Sequence, residues 1–445
     1  MWSRKMFRYL WGLGALAALV AIACGASATS TSEPNPTATA AAVGSTPTPN
    51  PSPTPALTGT TPDPTPAATV TPSPTGSAQE SEAGKASSEL KAPDPLGFSW
   101  EILDVDDGVK PAIALTSEDV PFVAYMLEAR PGFVKNAVWN GTDWDIATLA
   151  EGYFYGPLDI AIGPGDAAHI SYHDHDQEDA AYGFWNGTEW EVTVIPARGH
   201  DGWDNRIVVD SQGNPHISAV FPSDFNGNGI EYYGQDAAGQ WMVESVGSAP
   251  LTYQFATSIA VDPQGIPHIS FYTPDTKNLA LASRTEAGWT INIVDDDEAN
   301  GKFSSLIIDA EGRFHISYTQ RADFTSVVVK YATRGPEDAG WDITEVGTLD
   351  SLTYGFVGAR NITSLVLDSQ GNPWIAYSDE KVLKLARWDG TAWESADVII
   401  AGTQPLGQLV SLKLDSQDQP HMVYFDVVDK SPLTGRVRYA RGIRR

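Results

Sequence analysis

Five histidines, His169, His216, His268, His315 and His421, occupy one equivalent place in a phrase that recurs along the chain. A ring of imidazoles suggests metal. Repeats spread around an axis, however, hold such residues too far apart to share one ion at bond lengths of about 2 Å. The expected role is a scaffold bond from each ring to a neighbouring turn or strand, because buried imidazoles need partners. The aspartate of each Asp-x-x-Gly turn is expected to cap its own turn.

Two other stretches have ligand-like composition. Asp224, Asn226 and Asn228 set oxygens at alternate positions with Gly229 for the bend, like the first half of a calcium loop. The twelfth position is Gln235, so the late carboxylate is out of step. His173 and His175 put two imidazoles on one side of a strand, with His200 as a candidate third ligand for a transition metal. Calcium is the one candidate cofactor, and none is certain. A hydrolase needs two carboxylates roughly 5–10 Å apart. Asp201, Asp295, Asp296 and Asp297 are candidates, but the sequence assigns no catalytic set.

The elements that must position these residues are repeats. Val209-Asp210-Ser211-Gln212-Gly213-Asn214-Pro215-His216-Ile217-Ser218 returns almost intact from Val261 to Ser270. Anchor positions fall at 122, 169, 216, 268, 315, 374 and 421, which makes seven units. Each unit reads as four short strands, closed by a hairpin such as Trp185-Asn186-Gly187-Thr188-Glu189-Trp190. Four strands per unit at a period near 50 predict an all-β, seven-bladed propeller. Six tryptophans lead fourth strands (144, 190, 241, 289, 341 and 393), and the seventh unit ends before its own. The strand Phe98–Leu103, carrying Trp100, is therefore expected to complete the last blade and close the ring, removing two exposed edges.

Repetition marks scaffold, so departures from it mark candidate sites. Connections between blades hold Tyr153, Phe154, Tyr155, Trp203, Tyr253, Phe255, Tyr354 and Phe356 at one mouth, where aromatics suit stacking on sugars or gripping a peptide. They would equally serve to plug the mouth. Four blades carry Ser258, Ser305, Ser364 or Ser411 at a place where two adjacent blades carry Asp159 and Arg206. That pair is expected near the central channel, as an ion pair or as a polar-ligand site. Arg360, in the longest inter-blade connection, is a further ligand candidate.

Through its Asp-x-x-Gly turns and Gly-x-x-Trp hairpins, the region 98–445 resembles the Asp-box repeats of sialidase-like propellers and propeller lectins. The resemblance implies the propeller fold. The family's arginine triad and tyrosine nucleophile cannot be placed, and its motif order is not kept.

The chain has 445 residues, with 28 Lys+Arg against 56 Asp+Glu and a net charge of −28. That balance disfavours nucleic acid and anionic membrane surfaces. One cysteine excludes an intrachain disulfide. Arg4, Lys5 and Arg8 precede an apolar run ending at Ala23-Cys24, the pattern of a secretory signal over 1–23. Ala21-Ile22-Ala23-Cys24 resembles the bacterial lipoprotein box, which implies lipidation of Cys24. From 24 to 95 the chain is rich in Pro, Thr, Ser and Ala, a disordered and semi-rigid spacer reaching roughly 200 Å at about 3.1 Å per residue. The expected protein is an exported, lipid-anchored monomer facing the extracytoplasmic side. Its propeller (96–445) would bind extracellular glycan or protein, touching membrane only through the lipid. The alternatives are a sialidase-like glycoside hydrolase or lyase and a structural assembly propeller. Cys24→Ser is expected to release the protein from the membrane fraction; unchanged anchoring would count against lipidation.

Overall fold

Short apolar runs broken by positive-φ turns fold each repeat into a four-stranded antiparallel meander. The computed structural model describes residues 89–90, 93–154, 156–196, 201–221, 228–249, 257–273, 276–297, 300–321, 326–349, 362–407, 409–430 and 433–444. All lie within one unit, Gln79–Arg445. Seven sheets follow one another. Blade one runs from Val109–Leu115 on the inside, through Pro121–Leu127 and Gly132–Trp139, to Trp144–Gly152 on the outside. Blades two to six occupy 159–195, 203–249, 258–295, 300–349 and 363–400. Blade seven takes three strands from the carboxyl end: Ser411–Leu414, Pro420–Lys430 and Leu433–Arg444. Its fourth is Phe98–Asp107, which pairs antiparallel with Leu433–Arg444 in the register Trp100 to Gly442 and Ile102 to Ala440. The fold is the seven-bladed propeller that the repeats predict, and its closure is the expected one. A two-residue strand, Glu89–Leu90, adds to the outer edge of blade seven, upstream of the start at residue 96 read from composition.

Burial follows from this stacking. A twisted sheet has two apolar faces, and each packs on a neighbouring blade. The described core accordingly divides into seven clusters, one for each junction between blades. Polar relays tie the layers together. In blade seven, Tyr439 Oη donates to His421 Nδ1 (2.6 Å), and His421 Nε2 faces Asp415 Oδ2 (3.4 Å). The same Asp–His–Tyr set stands in blades three and five. Its tyrosine then packs edge-on against the outer-strand tryptophan of the next blade, as Tyr439 does on Trp144 at 5.3 Å between ring centres. In blade six Trp374 replaces the histidine and donates its Nε1–H to Asp368 (3.2 Å). In blades three to seven the position thus aims a ring N–H at the turn carboxylate. The histidines are scaffold, and the turn aspartates cap their turns, as Asp210 does by accepting from Gln212 and Asn214.

Closure has its own reinforcement. Blades three to six place Gly213, Gly265, Gly312 and Gly371 at the positive-φ turn position, while blades one, two and seven place Asp119, Asp166 and Asp418 there. Aspartate tolerates that conformation better than most side chains. Each of these carboxylates accepts both the backbone N–H and the hydroxyl of a serine in the preceding blade. Ser117 clasps Asp166, Ser369 clasps Asp418, and Ser416 clasps Asp119 across the seam itself at 2.9 and 2.5 Å. The two bonds from Ser117 hold the Asp166 carboxyl below the usual carboxylate range.

Two outcomes follow. Trp100 is 1% exposed, its Nε1–H donates to Asp94 (2.8 Å), and it stands where the outer strand closes the ring. Trp100→Ala is expected to cost about 3–5 kcal/mol in denaturant unfolding; wild-type stability would reject the closing role. Burial also lowers the pKa of His169 to about 4 and pushes His216, His268, His315 and His421 below their ordinary value. The histidine contribution is complete above about pH 6.5 and is lost as pH falls, because only the unfolded chain then takes up protons readily. The resonances of these five imidazoles, followed by NMR, should titrate below pH 6.5, and an ordinary midpoint for all five would contradict the relay.

Candidate functional site

The innermost strand of every blade has one edge with no strand partner, so its outward N–H groups need another acceptor. The preceding blade supplies it. Ser258 accepts from Leu306 N–H (3.0 Å), Ser305 from Leu365 (3.2 Å), Ser364 from Leu412 (3.0 Å) and Ser411 from Ile113 (3.2 Å). Blade one has Ala112 at this place and offers no oxygen. Asp159 in blade two compensates: its Oδ1 accepts its neighbour Ile160 N–H (3.0 Å), and its Oδ2 accepts Ile207 N–H of blade three (3.1 Å). The aspartate is thus a double acceptor in the ring of clasps, a role that pairwise reading of the sequence missed. The absent acceptor at Ala112 was the available signal. Arg206 Nη1 donates to Asn205 O (2.7 Å). Asp159 and Arg206 both line an axial cavity of about 270 Å³, with the serine ring and Lys413.

A second group gathers on the mouth face of blades one to three. Arg130 comes from the loop between the second and third strands of blade one, and its guanidinium lies 3.9 Å from the centre of the Tyr153 ring. Tyr153 follows the last strand of that blade. Its N–H is held by Asp176 Oδ2 (2.8 Å), and its ring meets His175 edge-on at 4.6 Å. His175 then contacts Trp203 edge-on at 5.7 Å, and His173 lies over Trp203 at 4.5 Å. Gly202, at φ +75°, permits this approach, since a Cβ there would fall 2.5 Å from Ala180 Cα. Trp203 is buried beneath the two imidazoles, and Phe154 is buried against Tyr172. Arg130, Tyr153 and His175 keep surface toward solvent. Of the expected mouth aromatics, two therefore support the group from below and Tyr153 faces outward.

The imidazoles of His173 and His175 do come together, with Nε2 and Nδ1 3.3 Å apart, and His173 Nδ1 bonds to Asp201 O (2.8 Å). Among the described residues no three His, Cys, Asp or Glu side chains converge as a metal site. Of the acidic candidates, Asp201, Asp295 and Asp297 have protein partners, and Asp296 is exposed. Asp295 accepts the Tyr318 hydroxyl (2.6 Å), and Lys330 bridges Asp295 and Asp297 at 3.1 Å each. Asp106 meets Tyr125 and Lys135 in the same way, so this is a repeated clamp between blades. Asp201 is fully buried, and its carboxylate accepts Ala180 N–H (3.3 Å). Cys24, Tyr155, His200, Asp224, Asn226, Tyr253, Phe255, Tyr354, Phe356 and Arg360 lie outside the described residues, and Asn228 is described only as backbone.

Two clefts between blades on the opposite face were not anticipated. One, of about 340 Å³, is lined by Arg313, His315, Tyr331 and Trp388. The other, of about 380 Å³, has His421, Tyr439 and Trp139 in matching places, with Arg441 in the place of Thr333. Their chemistry repeats because the scaffold relay repeats.

No protein-family model matches the chain, and no curated protein does. Solved structures share its fold. A polysaccharide lyase, the PL25 ulvan lyase bound to -[GlcA(1-4)Rha3S]-, is 12% identical with a TM-score of 0.50, over 78% of this chain and 95% of the lyase. The BP39L lectin from Burkholderia pseudomallei is 12% identical with a TM-score of 0.50, over 75% of this chain and 96% of the lectin. At such identities the likeness shows the propeller architecture and leaves activity to the side chains.

Proposed function

We propose that this chain is an exported, lipid-anchored propeller that binds extracellular glycan at its mouth face. The carrying observation is the solvent-facing series Arg130–Tyr153–His175, supported from beneath by Trp203. Aromatic edges and faces beside fixed polar groups suit sugar rings, which offer apolar C–H faces and hydroxyl rims. A lectin and a polysaccharide lyase among propellers of similar fold agree with a carbohydrate ligand. The net charge of −28 favours neutral glycans over polyanions at long range. Anchoring through Cys24 and spacing by 24–95 would hold the binding face away from the membrane.

A lyase is the second reading, because Arg130, Tyr153 and His175 together offer a cation for a uronate carboxylate and two proton-transfer groups. Glycan-array binding followed by titration separates the two. Tyr153→Ala and Arg130→Ala should each weaken binding about tenfold, or about 1.4 kcal/mol, with the fold intact by circular dichroism. Absence of any bound glycan, together with ultraviolet-absorbing unsaturated products that His175→Ala abolishes, would replace binding by elimination chemistry.

A further inference from the structure

Lys413 is the odd residue of the axial cavity. It lies on the innermost strand of blade seven, two residues beyond Ser411. The equivalent residues of the other six blades are Ala114, Ala161, Val208, Ala260, Ile307 and Val366, all apolar. The fold therefore asks for a small or aliphatic side chain at this point. Lys413 is half-buried and lines the cavity. Among the described residues it has no hydrogen-bond or ion-pair partner. Its electrostatic neighbour is Asp159, whose two carboxylate oxygens are already committed to Ile160 and Ile207 N–H groups. Burial accordingly pushes the Lys413 ammonium below the ordinary lysine range. An enclosed cation without a partner is costly to keep, and groups of this kind concentrate where a ligand completes them.

The cavity supplies the rest of a site. Arg206 brings a second cation, and Ser258, Ser305, Ser364 and Ser411, whose oxygens accept N–H groups, bring hydroxyl hydrogens to the same lining. Within that lining Lys413 and Arg206 are the cations and Asp159 is the carboxylate. The volume of about 270 Å³ sits just below the roughly 300 Å³ where pockets for larger organic ligands begin, so it suits a small solute rather than a polymer. We propose that the axial cavity binds a small oxyanion-bearing solute, its carboxylate, phosphate or sulfate group seated between Lys413 and Arg206 with serine hydroxyls completing the coordination. Asp159 limits the choice, disfavouring multiply charged ions and favouring a solute that also carries hydroxyl donors. The site is independent of the glycan reading at the mouth, which uses none of these residues.

The test is thermal unfolding and titration calorimetry of the full chain with inorganic phosphate, sulfate and glucuronate, each against chloride at matched ionic strength. Wild type should show saturable binding, strongest for glucuronate if the hydroxyl partners matter. Lys413→Arg should retain it, and Lys413→Met should weaken it at least tenfold. Lys413→Met should also melt in chloride no lower than wild type, since six blades already carry an apolar residue there. No saturable response of wild type to any of the three anions would overturn the proposal. So would an equal response in Lys413→Met, which would indicate general salt exclusion from the surface. Should Lys413→Met not fold, Lys413→Gln serves in the same titration, with the same loss expected.

Discussion

A β-sheet blade leaves the backbone of its innermost strand unpaired on one side, and a ring of blades exists only if every such edge is answered. Here the answer comes in five blades from one side chain reaching to an N–H of the next, while Asp159 accepts its own neighbour's N–H where Ala112 offers nothing. A buried donor left without a partner costs about 1–3 kcal/mol, so the clasp sets where a neighbouring blade must sit. Apolar packing between blades, being non-directional, supplies cohesion without fixing that register. The outer relays of aspartate, histidine and tyrosine repeat the principle at larger radius, ending on a tryptophan of the adjoining blade. Oriented polar bonds define the geometry, and the hydrophobic clusters fill it.

The architecture was legible because a repeat states the same instruction seven times, and copies with weak wording are read by position. Phe122 and Trp374 stand where five blades have histidine, and both were placed correctly by spacing alone. Trp100 was legible because an absence at one end matched a surplus at the other. The site was less legible for a physical reason. Asp159 and Arg206 look like a charge pair in sequence, but the aspartate answers a vacancy created by Ala112 in a different blade, and only the circular arrangement makes them neighbours. Lys413 had no motif at all; its meaning lies in contrast with six apolar counterparts. Tyr153 and Trp203 were both read as mouth aromatics, yet only spatial order distinguishes the one that faces solvent from the one that supports it.

Scaffold and chemistry draw on the same residue types in this molecule. Histidine, aspartate and tyrosine form relays whose burial keeps the imidazoles neutral, and the same types at the mouth are partly exposed. Position relative to the sheet edges separates the roles. A carboxylate such as Asp295, taken up by a tyrosine and a lysine, is spent on holding blades together. Function is then sought where a polar group is not required by the repeat.

The strand that seals blade seven joins Phe98–Asp107 to Leu433–Arg444, the two ends of the propeller. Because a polypeptide is made from its amino terminus onward, the first strand must wait without its partner while more than six blades are synthesised. The strand Leu433–Arg444 is then the latch of the ring. Such non-local pairing is entropically slow, and it makes a chain stopped a dozen residues short an open arc with two unsatisfied rims. Only a chain that carries both strands can hide the edges of this ring.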